Sequence, residues 1–113
     1  MNDLMLWLYG KSSKNAHIRK MALQLIEILK KEGSLSHNEL CERLNIGFDQ
    51  YQKPRRTFYS VVNPLKKVQL VRQSRKYLDE QKKKYKTVYY IDPQMFYGYM
   101  KRTLDDFHNH VKD

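Results

Sequence analysis

The chain has 113 residues, with 22 Lys and Arg against 12 Asp and Glu for a net charge of +10, one cysteine and four glycines. That length supports one domain with a modest core, one cysteine excludes an internal disulfide and fits a reducing compartment, and the sparse glycines leave no phosphate-binding loop. The first ten residues hold too short an apolar run for a membrane span and lack a basic leader, so the sequence reads as a soluble, cytoplasmic protein.

Leu4, Leu6, Trp7, Leu8 and Tyr9 are too apolar for a free tail, and Gly10 to Ser13 separate them from the next element. From Asn15 as N-cap, Ile18, Met21, Ala22, Leu25, Ile28 and Leu29 recur at helical spacing. Lys30 and Lys31 suit the negative end of that helix, Gly33 suits the left-handed position that ends it, and Ser34-Leu35 predicts a short strand. Ser36 and Glu39 have the spacing of a capping box, in which each side chain satisfies a backbone N–H that the helix start leaves unpaired. Leu35 and Leu40 suit a hydrophobic staple. Leu40, Cys41 and Leu44 make the apolar stripe of a short helix ending near Asn45.

Gly47 to Lys53 predicts a long turn anchored by Phe48 and Tyr51. Pro54 suits the first position of the next helix, about residues 54–69, whose first turn exposes Arg55, Arg56 and Thr57. If Phe58, Val61, Val62 and Leu65 face the core, the opposite face carries Arg56, Tyr59, Ser60, Asn63 and Lys67. Pro64 has no N–H for the Ser60 carbonyl, so this helix should kink there or restart with Asn63 as N-cap. A strand from Leu70 to about Lys76 should pair with residues 86–91, leaving Tyr77 to Tyr85, with Lys82, Lys83 and Lys84, as the tip. Asp92 then suits an N-cap and Pro93 a first helical residue. Phe96, Met100, Leu104, Phe107 and Val111 form a stripe along this last helix.

The run Thr57 to Arg72 resembles the third core helix and wing entry of archaeal, bacterial and viral winged-helix transcriptional regulators, with the MarR-like group the nearest pattern. In those proteins a Thr or Ser opens the recognition helix, apolar positions hold it to the core, and a Leu-Val-Arg step leads into the wing. Thr57, Phe58, Val61, Leu65, Leu70, Val71 and Arg72 match that pattern. The resemblance covers about residues 15–92. It departs from the pattern at the long turn and at Pro64. It implies a mainly α, α+β winged helix-turn-helix: a three-helix core, a two- to three-stranded β-wing and an additional C-terminal helix. The whole chain, 1–113, is then one DNA-binding domain with its core at 12–92 and terminal segments at 1–10 and 93–112.

The charge distribution adds to this. Residues 53–86 hold twelve Lys and Arg against two Asp and Glu, and the rest of the chain holds ten of each, so the whole excess lies in recognition helix and wing. That is the footprint of a surface facing phosphates. The helix face offers bidentate donors, an amide and hydroxyls to base edges, while Arg72, Arg75, Lys76 and the lysine triplet suit the backbone or minor groove. The stripe on the last helix, with Leu4, Trp7 and Leu8, is expected to form a homodimer seam; the alternative is that both termini pack on their own domain.

Other constellations carry less. Of the nine tyrosines, Tyr59, Tyr77 and Tyr85 lie in the basic region, whereas Tyr89, Tyr90, Tyr97 and Tyr99 read as core-edge or interface residues. His37 and Cys41 lack a second ligand pair, and Asp105 and Asp106 diverge by about 100° on a helix. No catalytic motif is present, and neither a metal, a cofactor nor a small-molecule ligand is expected. Three functions compete: a dimeric, sequence-specific regulator of double-stranded DNA, a non-specific nucleoid-coating protein, and a protein-interaction module. The mixed polar face of the recognition helix favours the first, because coating needs only charge.

Overall fold

A computed structural model describes residues 2–48, 50–51, 55–79 and 81–112. The apolar start forms helix α1 (Asn2–Tyr9), which buries Met5 and Tyr9 and lays Leu4 and Leu8 against the same core. The Tyr9 hydroxyl donates to the Val61 carbonyl, and its burial raises the phenol's pKa. Helix α2 (Ala16–Glu32) buries Ile18, Ala22, Leu25, Ile26 and Leu29 and ends at Gly33, whose φ of 90° only glycine adopts cheaply. Asn15 does not cap it. Its amide donates instead to the Tyr9 carbonyl at 2.8 Å, tying α1 to a single 3-10 turn, Ser13–Asn15, that Ser12 caps.

Strand β1 (Ser34–Ser36) leads into α3 (His37–Leu44) through the capping box, with Glu39 N donating to Ser36 Oγ at 3.3 Å and Ser36 N to Glu39 Oε1 at 3.1 Å. Asn45, left-handed at φ 57°, ends the helix. In the following turn Phe48 packs against the core, whereas the Tyr51 side chain is 73% exposed. Pro54 lies outside the described residues.

Helix α4 (Arg56–Lys67) buries Phe58, Val61, Val62 and Leu65 completely. It runs through Pro64 without the expected restart at Asn63. Ser60, whose carbonyl loses its helical donor, is exposed, so water can satisfy it while the buried residues on either side hold the helix together.

Strands β2 (Val71–Asp79) and β3 (Lys84–Ile91) are longer than the sequence suggested, and the sheet is antiparallel with order β1-β3-β2. Tyr77 and Tyr85 are therefore strand residues, not tip. They pair across the ribbon with ring centroids 6.0 Å apart, a cross-strand aromatic contact that favours continued pairing up to the bulge between Tyr77 and Asp79. Lys84 also falls in β3, leaving Lys82 and Lys83 in the turn. Asp79 Oδ1 accepts from Gln81 N and Lys82 N at 3.1 and 3.3 Å and so holds that turn.

Helix α5 (Pro93–Lys112) starts at Asp92, whose carboxylate accepts from Met95 N at 3.1 Å. Phe96 and Tyr99 pack on the core, but every described residue from Lys101 onward is exposed. The helix projects, and the radius of gyration of 16.2 Å exceeds the roughly 13 Å expected of a compact chain of this length. The succession α2-β1-α3-α4-β2-β3 with this sheet order is an α+β winged helix, extended by a helix at each end.

The capping box carries an expected pH dependence. The Ser36 backbone N–H, the Lys86 ammonium at 3.1 Å and the Ser36 hydroxyl together hold the Glu39 carboxyl down at about 2. Its folded pKa is below the unfolded value, so its contribution is present near neutrality and is lost as pH falls from about 5 towards 2. Thermal melts over that range should show the midpoint falling with acidity, and falling less steeply in Glu39→Gln. Equal slopes would mean that Glu39 contributes nothing.

Candidate nucleic-acid interface

Complete burial of Phe58, Val61, Val62 and Leu65 fixes the rotation of α4. Arg56, Ser60, Asn63 and Lys67, at steps of four, three and four, then form one exposed stripe, with Tyr59 beside it and 41% exposed. Thr57 is half-buried at the edge. Arg55, the exposed N-cap in extended conformation, donates its N–H to the Gly47 carbonyl at 3.0 Å, and its side chain crosses Gly47 closely enough that a Cβ there would lie 3.0 Å from Nε. Arg55 is thus partly engaged in closing the α3–α4 turn.

Strand alternation decides which wing residues join this stripe. Tyr89 is buried, its ring 5.8 Å from that of Phe58, so its face of the sheet is the one that meets α4. The register places Gln73 opposite Tyr89, Arg75 opposite Thr87 and Tyr77 opposite Tyr85, all on that same face. From Tyr59 the surface therefore continues through Gln73 and Arg75 to Tyr77 and Tyr85, and Arg75 lies over the Tyr85 ring at 4.4 Å from its centroid. Gln73 and Thr87 were not anticipated from sequence. Counting in twos from a buried Tyr89 would have found them.

The same parity turns Arg72, Lys76, Lys84 and Lys86 to the opposite face. Arg72 forms an ion pair with Asp92 at 3.2 Å, joining the wing base to the start of α5. Lys86 reaches Glu39 at the start of α3. Of the sequence-predicted contacts, then, Arg56, Tyr59, Ser60, Asn63, Lys67 and Arg75 share one surface, Lys82 and Lys83 stand at its tip, and Arg72, Lys76 and Lys84 do not lie on it.

On its other flank α4 meets α1 and the 3-10 turn, where Tyr9, Asn15, Ile18, Arg56, Tyr59 and Asn63 border an open cleft of about 480 Å³. Cys41 is buried at the back of the core, where desolvation pushes its thiol up to about 11, and it takes no part in the surface. Among the described residues no cluster of three metal-ligating side chains occurs, and no helix is long and apolar enough to cross a membrane.

No protein-family model and no curated protein matches the chain. Among solved structures it is similar to a protein of Methanosarcina mazei Go1 described as a possible transcriptional regulator. The two are 14% identical with a TM-score of 0.49, over 98% of this chain and 85% of the other. A likeness at that level carries no functional argument, and it does not single out the MarR-like group. The functional reading rests on the surface itself.

The pairing of Arg72 with Asp92 separates it from Arg75. Arg72→Ala should lower the melting temperature by a few degrees, on the order of 1 kcal/mol for a half-buried ion pair at a helix start, and leave nucleic-acid affinity within about twofold. Arg75→Ala should do the reverse. Melts and binding titrations on the two variants check the assignment, and affinity loss confined to Arg72→Ala would reverse it.

Proposed function

We propose that this protein is a sequence-specific, double-stranded DNA-binding regulator that acts as a homodimer. Helix α4 enters the major groove and the wing lies along the adjacent backbone. The observation that carries this reading is that two features share one face, within the segment that holds the chain's excess of positive charge. The exposed stripe of α4 mixes Arg56 and Asn63 with Ser60 and Lys67, the wing face is continuous with it, and the chain's whole excess of positive charge lies between residues 53 and 86. Arginine reads guanine bidentately and asparagine reads adenine, whereas Lys67, Lys82 and Lys83 suit phosphates.

Dimerisation is argued from α5. Leu104, Phe107 and Val111 are 60%, 66% and 63% exposed on a helix that projects from the domain, and Trp7 is 60% exposed at its base. Four large apolar side chains at that exposure are what an isologous contact buries. Leu4, Leu8 and Phe96 are already packed on their own core, so the seam rests on the outer half of α5, with Trp7 and Met100 at its edge. Two α4 helices related by such an axis would read half-sites about 34 Å apart.

The test is selection from a random duplex library. The expected result is an enriched palindromic motif, and Arg56→Ala should relax preference at one position in each half-site, by a factor equivalent to about 1–3 kcal/mol. An unenriched pool bound with steep salt dependence would indicate a coating protein instead.

A further inference from the structure

The outer wing contains a feature that duplex binding by α4 does not use. Tyr77 and Tyr85 are 51% and 45% exposed and sit directly opposite each other on the face that meets α4. With Arg75 and Lys83 they line an open cleft of about 490 Å³. The two rings meet edge-on at 6.0 Å between centroids, and the guanidinium of Arg75 lies over Tyr85. Lys83 holds a left-handed backbone, φ 54°, that costs any residue with a Cβ about 1 kcal/mol relative to glycine, yet a lysine stands there and lines the cleft. A wing needing only phosphate contacts would carry lysines without rings.

Two exposed phenol rings, a planar cation and an ammonium at one cleft match the chemistry of an unpaired nucleobase and its phosphate. The base stacks on ring or guanidinium, and the ammonium neutralises the backbone. We propose that the Tyr77–Tyr85 cleft receives a base extruded from, or unpaired within, the bound DNA, so that the protein prefers duplex carrying a local single-stranded nucleotide. This inference rests on the DNA-binding reading above. It adds a site that reads base stacking without reading sequence.

The cleft can be tested with the full chain and two otherwise identical duplexes, one fully paired and one bearing a single unpaired 2-aminopurine at its centre. Wild type should bind the unpaired duplex on the order of ten-fold more tightly and quench the 2-aminopurine fluorescence, as stacking on an aromatic ring does. Tyr85→Leu should abolish both the preference and the quenching, while Tyr85→Phe, which keeps the ring and the ribbon pairing, should retain both. Equal affinity for the two duplexes, or a preference that survives Tyr85→Leu in a folded protein, would overturn the stacking site and leave the duplex-binding reading standing. Binding to neither duplex would overturn both.

Discussion

A chain carrying Leu104→Glu and Phe107→Glu is expected to be a monomer that retains the wild-type fold and loses most of its affinity for a two-half-site duplex. The substitutions fall on the outer part of α5, where Leu104 and Phe107 are 60% and 66% exposed. Stability should therefore shift by no more than about 0.5 kcal/mol, as for surface changes generally. Two carboxylates placed in an apolar seam would have to be desolvated opposite their symmetry mates, which a small isologous interface cannot offset. Loss of the dimer removes the effective concentration that couples two half-sites, so affinity should fall about 10²-fold or more while binding to an isolated half-site is unchanged. Sedimentation equilibrium and titrations on one- and two-half-site duplexes check both parts. A wild-type chain that is already monomeric at high micromolar concentration would remove the seam and, with it, the expectation of a palindromic site.

Phe58→Ala is the other large effect. Phe58 is fully buried, and its ring meets those of Tyr59 at 5.3 Å and Tyr89 at 5.8 Å, both nearly edge-on. It is therefore an aromatic contact between α4 and β3, the central strand of the sheet. Truncation to alanine removes the buried apolar surface, opens a cavity and loses two aromatic contacts, at a cost of about 3–5 kcal/mol. For a domain of this size that is a large fraction of the total stability. Urea unfolding should show the midpoint falling steeply with little change in slope. Because α4 and the wing are aligned through the same contact, DNA affinity should fall even at temperatures where the variant is folded. A loss below about 1 kcal/mol would mean that the helix is positioned by other contacts.

Much of this architecture was legible in the sequence because local rules and the global fold agree. The Ser36/Glu39 box, the Asn45 and Gly33 helix ends, the Asp92-Pro93 start and the buried face of α4 all follow from short-range spacing. The points that departed are those decided by tertiary context. Pro64 breaks a helix only when the freed carbonyl has no other partner and packing does not hold the segment, and neither condition applies beside exposed Ser60 and buried Val61 and Leu65. The wing strands ran past the basic residues because Tyr77 and Tyr85 pair across the ribbon, a contact invisible until the register is known.

Register also sorted the basic residues of the surface. From composition, Arg72, Arg75 and Lys76 were equivalent wing cations. A side-chain period of two separates Arg75 from both neighbours, and the Asp92 carboxylate twenty residues away takes up Arg72. Likewise Leu4, Leu8 and Phe96, read as seam residues with the rest, lie half-buried against their own core, while Trp7, Leu104, Phe107 and Val111 are exposed. No local pattern distinguishes an apolar side chain that covers its own domain from one that covers a partner.

On this reading the stripe on α4 and the face of the wing bind duplex DNA through phosphates as well as bases. The most direct measurement is the affinity of the full chain for one fixed duplex across a series of salt concentrations, in wild type and in Lys67→Ala with Lys82→Ala and Lys83→Ala. Log-linear weakening with salt is expected in the wild type, with a slope shallower by about two to three in the triple variant, roughly 0.9 for each phosphate contact removed. A slope near zero in the wild type, or one unchanged in the variant, would contradict the reading.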